Sequence, residues 1–176
     1  RGLYNLASTP ACLPRFIADE NVKLFEKHQI FTKEEIYSRY EILLENYVKT
    51  ICIEAKTMDS MLMKDFLPAA GRYAAAVAGQ AESVRAFTPS VPMDSAKALV
   101  SELGTAYEDI SRTLASLEEE IQAVDDIASM QEAADYCHDT LLATMEKLRS
   151  IADEAERKIP EEELPYPAYD KLLFSV

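Results

Sequence analysis

Apolar residues along this chain recur at the three- and four-residue steps of an α-helix, not at the two-residue step of a strand. From Thr32 onward, Ile36, Tyr40, Leu43, Tyr47 and Ile51 give one such stripe, and Ile42, Val48, Cys52, Ile53 and Met58 widen it. A helix apolar on more than one side usually packs against more than one neighbour. Thr32 and Glu35 have capping-box spacing, in which each side chain satisfies an orphan amide of the first turn. Pro68 removes a backbone donor and is expected to end or kink this helix near Phe66. The pattern then resumes through Tyr73, Val77, Val84 and Phe87, and Thr88-Pro89-Ser90-Val91-Pro92 breaks it.

A second helix starts near Asp94 or Ser95. Its seam is Val100, Leu103, Tyr107, Ile110, Leu114, Leu117, Ile121, Val124 and Ala128, alternating steps of three and four. This is the heptad pattern by which two helices wind together. A third helix starts at Ser129, with Glu132 in capping-box position, and its seam is Met130, Ala134, Cys137, Leu141, Thr144, Leu148, Ile151 and Ala155. The connection between them is short, so the two are expected to be antiparallel neighbours, each about 45 Å long at the α-helical rise. Pro160 ends the third helix.

Residues 1–31 read as a connecting segment with short helices. Thr9-Pro10 opens one as N-cap and first-turn proline, Asp19 caps another, and His28 sits near its end as a C-terminal cap. Residues 160–176 differ in kind. Glu161-Glu162-Glu163 is a solvated charge run, and Pro165 and Pro167 bias the stretch around them towards an extended form. Tyr166, Tyr169, Leu172, Leu173 and Phe174 make this end too apolar to be left in water, and mark it as a docking tail. The predicted fold is therefore all-α: a helical bundle over residues 32–159 with long helices at about 33–87, 94–128 and 130–159, the last two forming a long antiparallel coiled-coil-like hairpin, followed by an extended C-terminal tail.

Charge changes the picture along the chain. The net charge is −13, but residues 1–87 hold 11 basic and 11 acidic side chains, against 7 and 20 in residues 88–176. Such a surface repels phosphate backbones, so nucleic acid is not an expected partner. The second half is expected to project into water and the first to lie against something else. No apolar run approaches the roughly 18 residues of a membrane span, so no membrane partner is expected either. Cys12, Cys52 and Cys137, odd in number and widely spaced, read as reduced, buried thiols of a cytoplasmic protein rather than a disulfide framework. Arg1 in place of an initiator Met is expected of a chain that begins inside a longer reading frame or after processing.

Candidate chemistry is sparse. Asp135 and His138 have the i, i+3 spacing by which a bundle helix presents a carboxylate and an imidazole to a metal, but the second copy that a di-metal bundle needs is missing. Four scattered glycines make no phosphate loop, and no Cys and His stand at zinc spacing. Glu41, Glu45 and Glu54 read as solvated or paired with Lys49 or Lys56. No catalytic, cofactor-binding or metal-binding residue is therefore assigned.

Three stretches carry a family resemblance. The first is Phe25-Glu26-Lys27-His28 through Phe31-Thr32. The second is Ser38-Arg39-Tyr40-Glu41-Ile42-Leu43-Leu44-Glu45-Asn46-Tyr47, continuing through Lys49-Thr50-Ile51-Cys52-Ile53-Glu54-Ala55 to Thr57-Met58. The third is Pro165-Tyr166-Pro167-Ala168-Tyr169 with Leu172-Leu173-Phe174. In this order they resemble the C-terminal region of type III glutamine synthetases, and Arg1-Gly2-Leu3 to Pro14 is similar to the stretch leaving that enzyme's catalytic domain. The chain departs at Cys52, where the family is expected to carry Asn, in the tail, which lacks the Trp expected before its prolines, and at Asp170-Lys171, where Gly-Asp is expected. The resemblance implies a parent ligase, bacterial and oligomeric, that joins ammonia to glutamate through γ-glutamyl phosphate with ATP and Mg²⁺ or Mn²⁺. It implies that this chain is its non-catalytic structural and assembly part, with the upstream catalytic domain and other subunits of a homo-oligomer as partners. The other reading is an independent helical adaptor whose acidic hairpin binds a partner protein.

Overall fold

The computed structural model describes Gly2, residues 4–167 and residues 169–174, the last stretch without the side chains of Tyr169, Asp170 and Phe174. The described residues are helical, with no strand among them. In chain order the helices are α1 (Thr9–Phe16), α2 (Asp19–Lys27), α3 (Lys33–Met61), α4 (Leu67–Phe87), α5 (Asp94–Asp125), α6 (Met130–Tyr136), α7 (Leu142–Glu156) and α8 (Tyr169–Phe174). Single π turns, Leu62–Phe66 and Cys137–Leu141, join α3 to α4 and α6 to α7.

The caps explain most of these boundaries. The Thr32 amide donates to Glu35 Oε2 at 2.7 Å and the Glu35 amide to Thr32 Oγ1 at 3.2 Å, a complete capping box opening α3. At α6 only one arm forms, with the Glu132 amide donating to Ser129 Oγ at 3.4 Å. The N-cap of α1 is Ser8 rather than Thr9, its hydroxyl accepting from the Ala11 amide at 3.3 Å. Ala18, not Asp19, caps α2, and Asp19 instead places its carboxylate in the first turn, where the helix dipole favours it. At the other end of α2 the Ile30 amide reaches Phe25 O and the Gln29 amide reaches Glu26 O, with Gln29 left-handed at φ 53°. This is a Schellman closure with His28 as C-cap.

The backbone passes Pro68 without leaving the helix. The Leu67 amide reaches back five residues to Leu62 O. The widened turn opens the space in which a proline ring would otherwise meet the carbonyl four residues earlier.

The chain divides into two compact units. The first comprises residues 1–56 and 117–144, the second residues 57–116 and 145–176. In the first, Ile36, Tyr40, Leu44, Val48, Ile51 and Ala55 of α3 are buried, as are Leu117, Ile121, Val124, Ala133, Ala134, Cys137 and Leu141. Phe16, Phe25 and Phe31 form a ladder with ring centroids 5.7 and 5.8 Å apart, and the Arg39 guanidinium lies 4.5 Å over Phe31. These aromatic contacts tie α1 and α2 to the start of α3, and each is worth about 0.5–1.5 kcal/mol beyond area burial. Thr144 donates to Glu120 Oε1 at 3.0 Å, so the chain doubles back across the short connection after α5.

In the second unit Leu62, Phe66, Leu67, Ala69 and Ala70 are buried, together with Leu103, Ile110, Leu114, Met145, Leu148, Ala152, Ala155 and Ile159. The amino group of Lys158 meets Glu102 Oε2 at 2.7 Å, an exposed pair that adds little stability but records the register. The last segment is less extended than its prolines suggest. Glu161–Glu163 forms a 3-10 turn against α4, Leu164 is extended, and α8 follows. The Lys171 ammonium pairs with Glu161 Oε1.

Candidate functional site

The docking-tail residues are placed in part. Tyr166 is half-buried, whereas Leu172 and Leu173 are exposed, Leu173 at 77%. The side chains of Tyr169 and Phe174 lie outside the described residues. Asp135 and His138 each engage a different partner. Asp135 accepts from Gln131 Nε2 at 3.1 Å, and His138 Nδ1 lies 2.7 Å from Asp139 Oδ1. Glu45 pairs with the Lys49 ammonium at 2.6 Å, one turn along α3.

Among the described residues no three His, Cys, Asp or Glu side chains gather to hold a metal ion. The residues described thus do not fit the divalent ion implied for the parent enzyme, and no chemical step is assigned to them.

The thiols differ from one another. Cys12 is exposed, which corrects the expectation that all three are buried, because α1 turns that side to solvent. Cys52 is half-buried and Cys137 fully buried. Burial pushes the Cys137 thiol up to about 12, helped by the neighbouring Cys52 thiol to which it hydrogen-bonds. A thiol so far from ionisation is a packing group rather than a nucleophile. Burial likewise raises Tyr40, Tyr47 and Tyr136 above the ordinary phenol range, with nearby Glu41, Cys137 and Glu120 respectively adding to it.

Around Gln131 the first unit has a polar clasp. Its Nε2 donates to the Pro10 carbonyl and to Asp135, each at 3.1 Å, and its Oε1 accepts from the Tyr40 hydroxyl at 2.8 Å. One amide thereby joins α1, α3 and α6.

What the structure adds is apolar surface. The buried stripe of α3 runs through Leu44 and Val48, whereas Leu43 is exposed and Tyr47 only half-buried, so the expected stripe is displaced. On the side of α3 facing away from that stripe, Ile42 is 51% and Ile53 64% exposed. Thirteen of the sixteen large apolar side chains exposed among the described residues fall in residues 1–91, including Tyr4, Leu24, Ile30 and Phe87. The signal was in the sequence, as apolar positions on more than one side of the first long helix.

No helix among the described residues is long and apolar enough to cross a membrane.

The family model of the glutamine synthetase C-terminal domain matches residues 1–85. A glutamine synthetase of Butyrivibrio fibrisolvens is 40% identical over 176 residues, which is all of this chain and 25% of that protein. A type-3 glutamine synthetase of Dictyostelium discoideum is 30% identical over 184 residues, covering 99% of this chain and 24% of the other. A glutamine synthetase of Bacteroides fragilis is 23% identical over 179 residues, covering 99% of this chain and 25% of the other. The chain spans about a quarter of the length of the curated relatives it matches. This chain belongs to the glutamine synthetase family, and its residues 1–85 carry that family's C-terminal domain.

Proposed function

We propose that this chain is a non-catalytic structural and assembly segment of a glutamine synthetase. The parent reaction is the ATP-dependent ligation of ammonia to glutamate through γ-glutamyl phosphate. ATP and Mg²⁺ or Mn²⁺ bind elsewhere in that cytoplasmic enzyme, on its catalytic domain. The observation that carries this reading is the crowding of exposed apolar side chains into residues 1–91, the part that holds the family domain. Exposed apolar side chains in that number suit contact with other protein. The acidic excess of residues 88–176 suits the opposite half to water. The partners are the catalytic domain of the same protein and further subunits. Tyr166, Leu172 and Leu173, with Tyr169 and Phe174, form a clasp that packs on one of them.

The test compares the full-length enzyme with a version lacking this chain. Loss of assembly mass and a lower melting temperature are expected. The purified chain, given glutamate, ammonia, ATP and Mg²⁺, is expected to form no glutamine. An unchanged assembly with an unchanged melting temperature, or glutamine made by the chain alone, overturns the proposal.

A further inference from the structure

Within the first unit, α3 and α6 advance past one another in the same direction. The Tyr40 hydroxyl meets Gln131. Further along, burial raises the Tyr47 phenol, with Cys137 and then Asp139 close enough to add to it. This register carries Cys137 to the stretch of α3 that ends in Cys52, and the two thiols stand there as hydrogen-bonded neighbours. They are not equivalent. Cys137 is fully buried, as are Ala134 and Leu141 near it in sequence and Val48, Ile51 and Ala55 around Cys52. Cys52 is half-buried and so keeps an edge towards solvent. The third cysteine, Cys12, sits exposed on α1. Cys137 also opens the π turn Cys137–Leu141, a widened turn of the sort that recurs at functional positions.

We propose that Cys52 and Cys137 form an oxidation-sensitive latch, in which a peroxide converts the pair to a disulfide that ties α3 to the turn after α6. The latch goes beyond the assembly role proposed above and does not depend on it.

The asymmetry of the pair sets the order of the chemistry. Cys52 Sγ, the one with a solvent edge, attacks a peroxide oxygen. The O–O bond breaks, one water leaves, and Cys52 becomes a sulfenic acid. Cys137 Sγ then attacks Cys52 Sγ. The S–O bond breaks, and the oxygen departs as a second water with the Cys137 proton. Two thiols and one peroxide thus give one disulfide and two waters. Cys137 does not start the reaction, because its thiol is pushed up to about 12, chiefly by burial, and the thiolate is the form that attacks peroxide. It serves only as the partner of a sulfur already made electrophilic. Burial does not oppose the product. A disulfide carries no charge and no polar hydrogen, so the apolar surroundings that resist a Cys137 thiolate accept the bond. Once closed, the Cys137 sulfur stays covered and a reducing thiol has only Cys52 Sγ to attack, which slows reopening.

The experiment treats the folded full-length protein with hydrogen peroxide, blocks the remaining thiols with iodoacetamide in denaturant, and digests without reduction. Mass spectrometry is expected to find the Cys52 and Cys137 peptides joined, two hydrogens lighter than the separate pair, and parted again by dithiothreitol. Amide exchange over residues 47–56 and 130–144 is expected to slow about tenfold or more in the oxidised protein, since the bond restrains local opening. In Cys137→Ala the sulfenic acid has no partner, and dimedone is expected to label Cys52 several-fold more than in the wild type. No joined peptide from the folded protein, joining only after denaturant, joining of either residue chiefly to another cysteine, Cys52 carried to sulfinic acid with Cys137 still reduced, or unchanged exchange once the bond has formed would each overturn the inference. Equal dimedone labelling of variant and wild type would overturn it too. The joined peptide and the exchange are read on the wild-type protein, so a poorly folded variant does not blur them.

Discussion

The Tyr40 hydroxyl donates to Gln131 Oε1 at 2.8 Å, across 91 residues of sequence. Tyr40 is buried, so its hydroxyl has few other partners to turn to. The same glutamine holds the Pro10 carbonyl through its amide nitrogen. Gln131→Leu strips both groups of their partner at once. An unpaired buried polar group costs about 1–3 kcal/mol, and a loss in that range is expected in urea unfolding. Tyr40→Phe placed in the Gln131→Leu background is expected to recover part of it, because the orphaned hydroxyl goes too. The double-mutant cycle measures the coupling. If the two losses simply add, the Tyr40–Gln131 bond contributes nothing to the fold.

The buried Cys137 thiol and three wholly or partly buried phenols give the fold an alkaline weakness. Cys137 rises from 9.0 to about 12, chiefly through burial, and Tyr40, Tyr47 and Tyr136 rise from 10.0 for the same first reason. Above the ordinary thiol range the unfolded chain sheds protons that the folded chain keeps, so stability falls as pH rises. The Cys137 contribution is fully present below pH 9 and is lost as pH climbs towards about 12. Unfolding free energy measured from neutral to alkaline pH is expected to decline, and Cys137→Ala is expected to flatten the decline. Alkylation followed by mass spectrometry is expected to label Cys12 in the native protein and spare Cys137 until denaturant is added. Equal labelling of the two would contradict the burial on which this rests.

The helices themselves were legible because capping and period agree. Thr32 with Glu35 marks the start of α3 in sequence and in structure, and Leu103, Ile110, Leu114, Leu117, Ile121 and Val124 of the expected seam of α5 are buried. The third seam drifts after Leu141, where Met145 and Ala152 are buried in place of Thr144 and Ile151. The π turn at Cys137–Leu141 lies just before this drift, which is partial, since Leu148 and Ala155 of the expected seam stay buried. Nothing in Cys137-His138-Asp139-Thr140-Leu141 announces such a turn. The face of α3 departs from the expected stripe for a different reason. Ile42, Leu43 and Ile53 are as apolar as Leu44 and Val48, and periodicity alone does not separate a core face from a docking face.

Gln29 offers a stabilising change. It adopts φ 53° at the end of α2, where a side chain meets its own backbone and glycine does not. Both Schellman hydrogen bonds are made by backbone groups and survive the substitution. Gln29→Gly is therefore expected to raise stability by about 0.5–1 kcal/mol, less the entropy that a glycine adds to the unfolded chain. Thermal melting checks this. A lower melting temperature would mean that the Gln29 side chain contributes a contact outweighing its backbone strain.

The outer side of α3 distinguishes a solvated surface from a buried one. Ile42 and Ile53 project away from the stripe formed by Ile36, Tyr40, Leu44, Val48, Ile51 and Ala55. If this side faces water, exchanging both for lysine changes stability by no more than about 0.5 kcal/mol, as for other surface sites. That outcome is expected for this chain by itself. On the assembly role proposed above, other protein covers this side in the full-length enzyme, and two ammonium groups would then be buried without partners. Breaking a buried contact in that way costs roughly 3–5 kcal/mol for an unpaired charge. The paired Ile42→Lys and Ile53→Lys variant is therefore expected to lower the melting temperature and the assembly mass of the full-length protein while leaving the isolated chain's unfolding curve in place. The comparison is internal, because one substitution is read in two contexts. Equal, small effects in both would mean that α3 faces water in the enzyme, and the apolar crowding of residues 1–91 would lose its explanation as an interface.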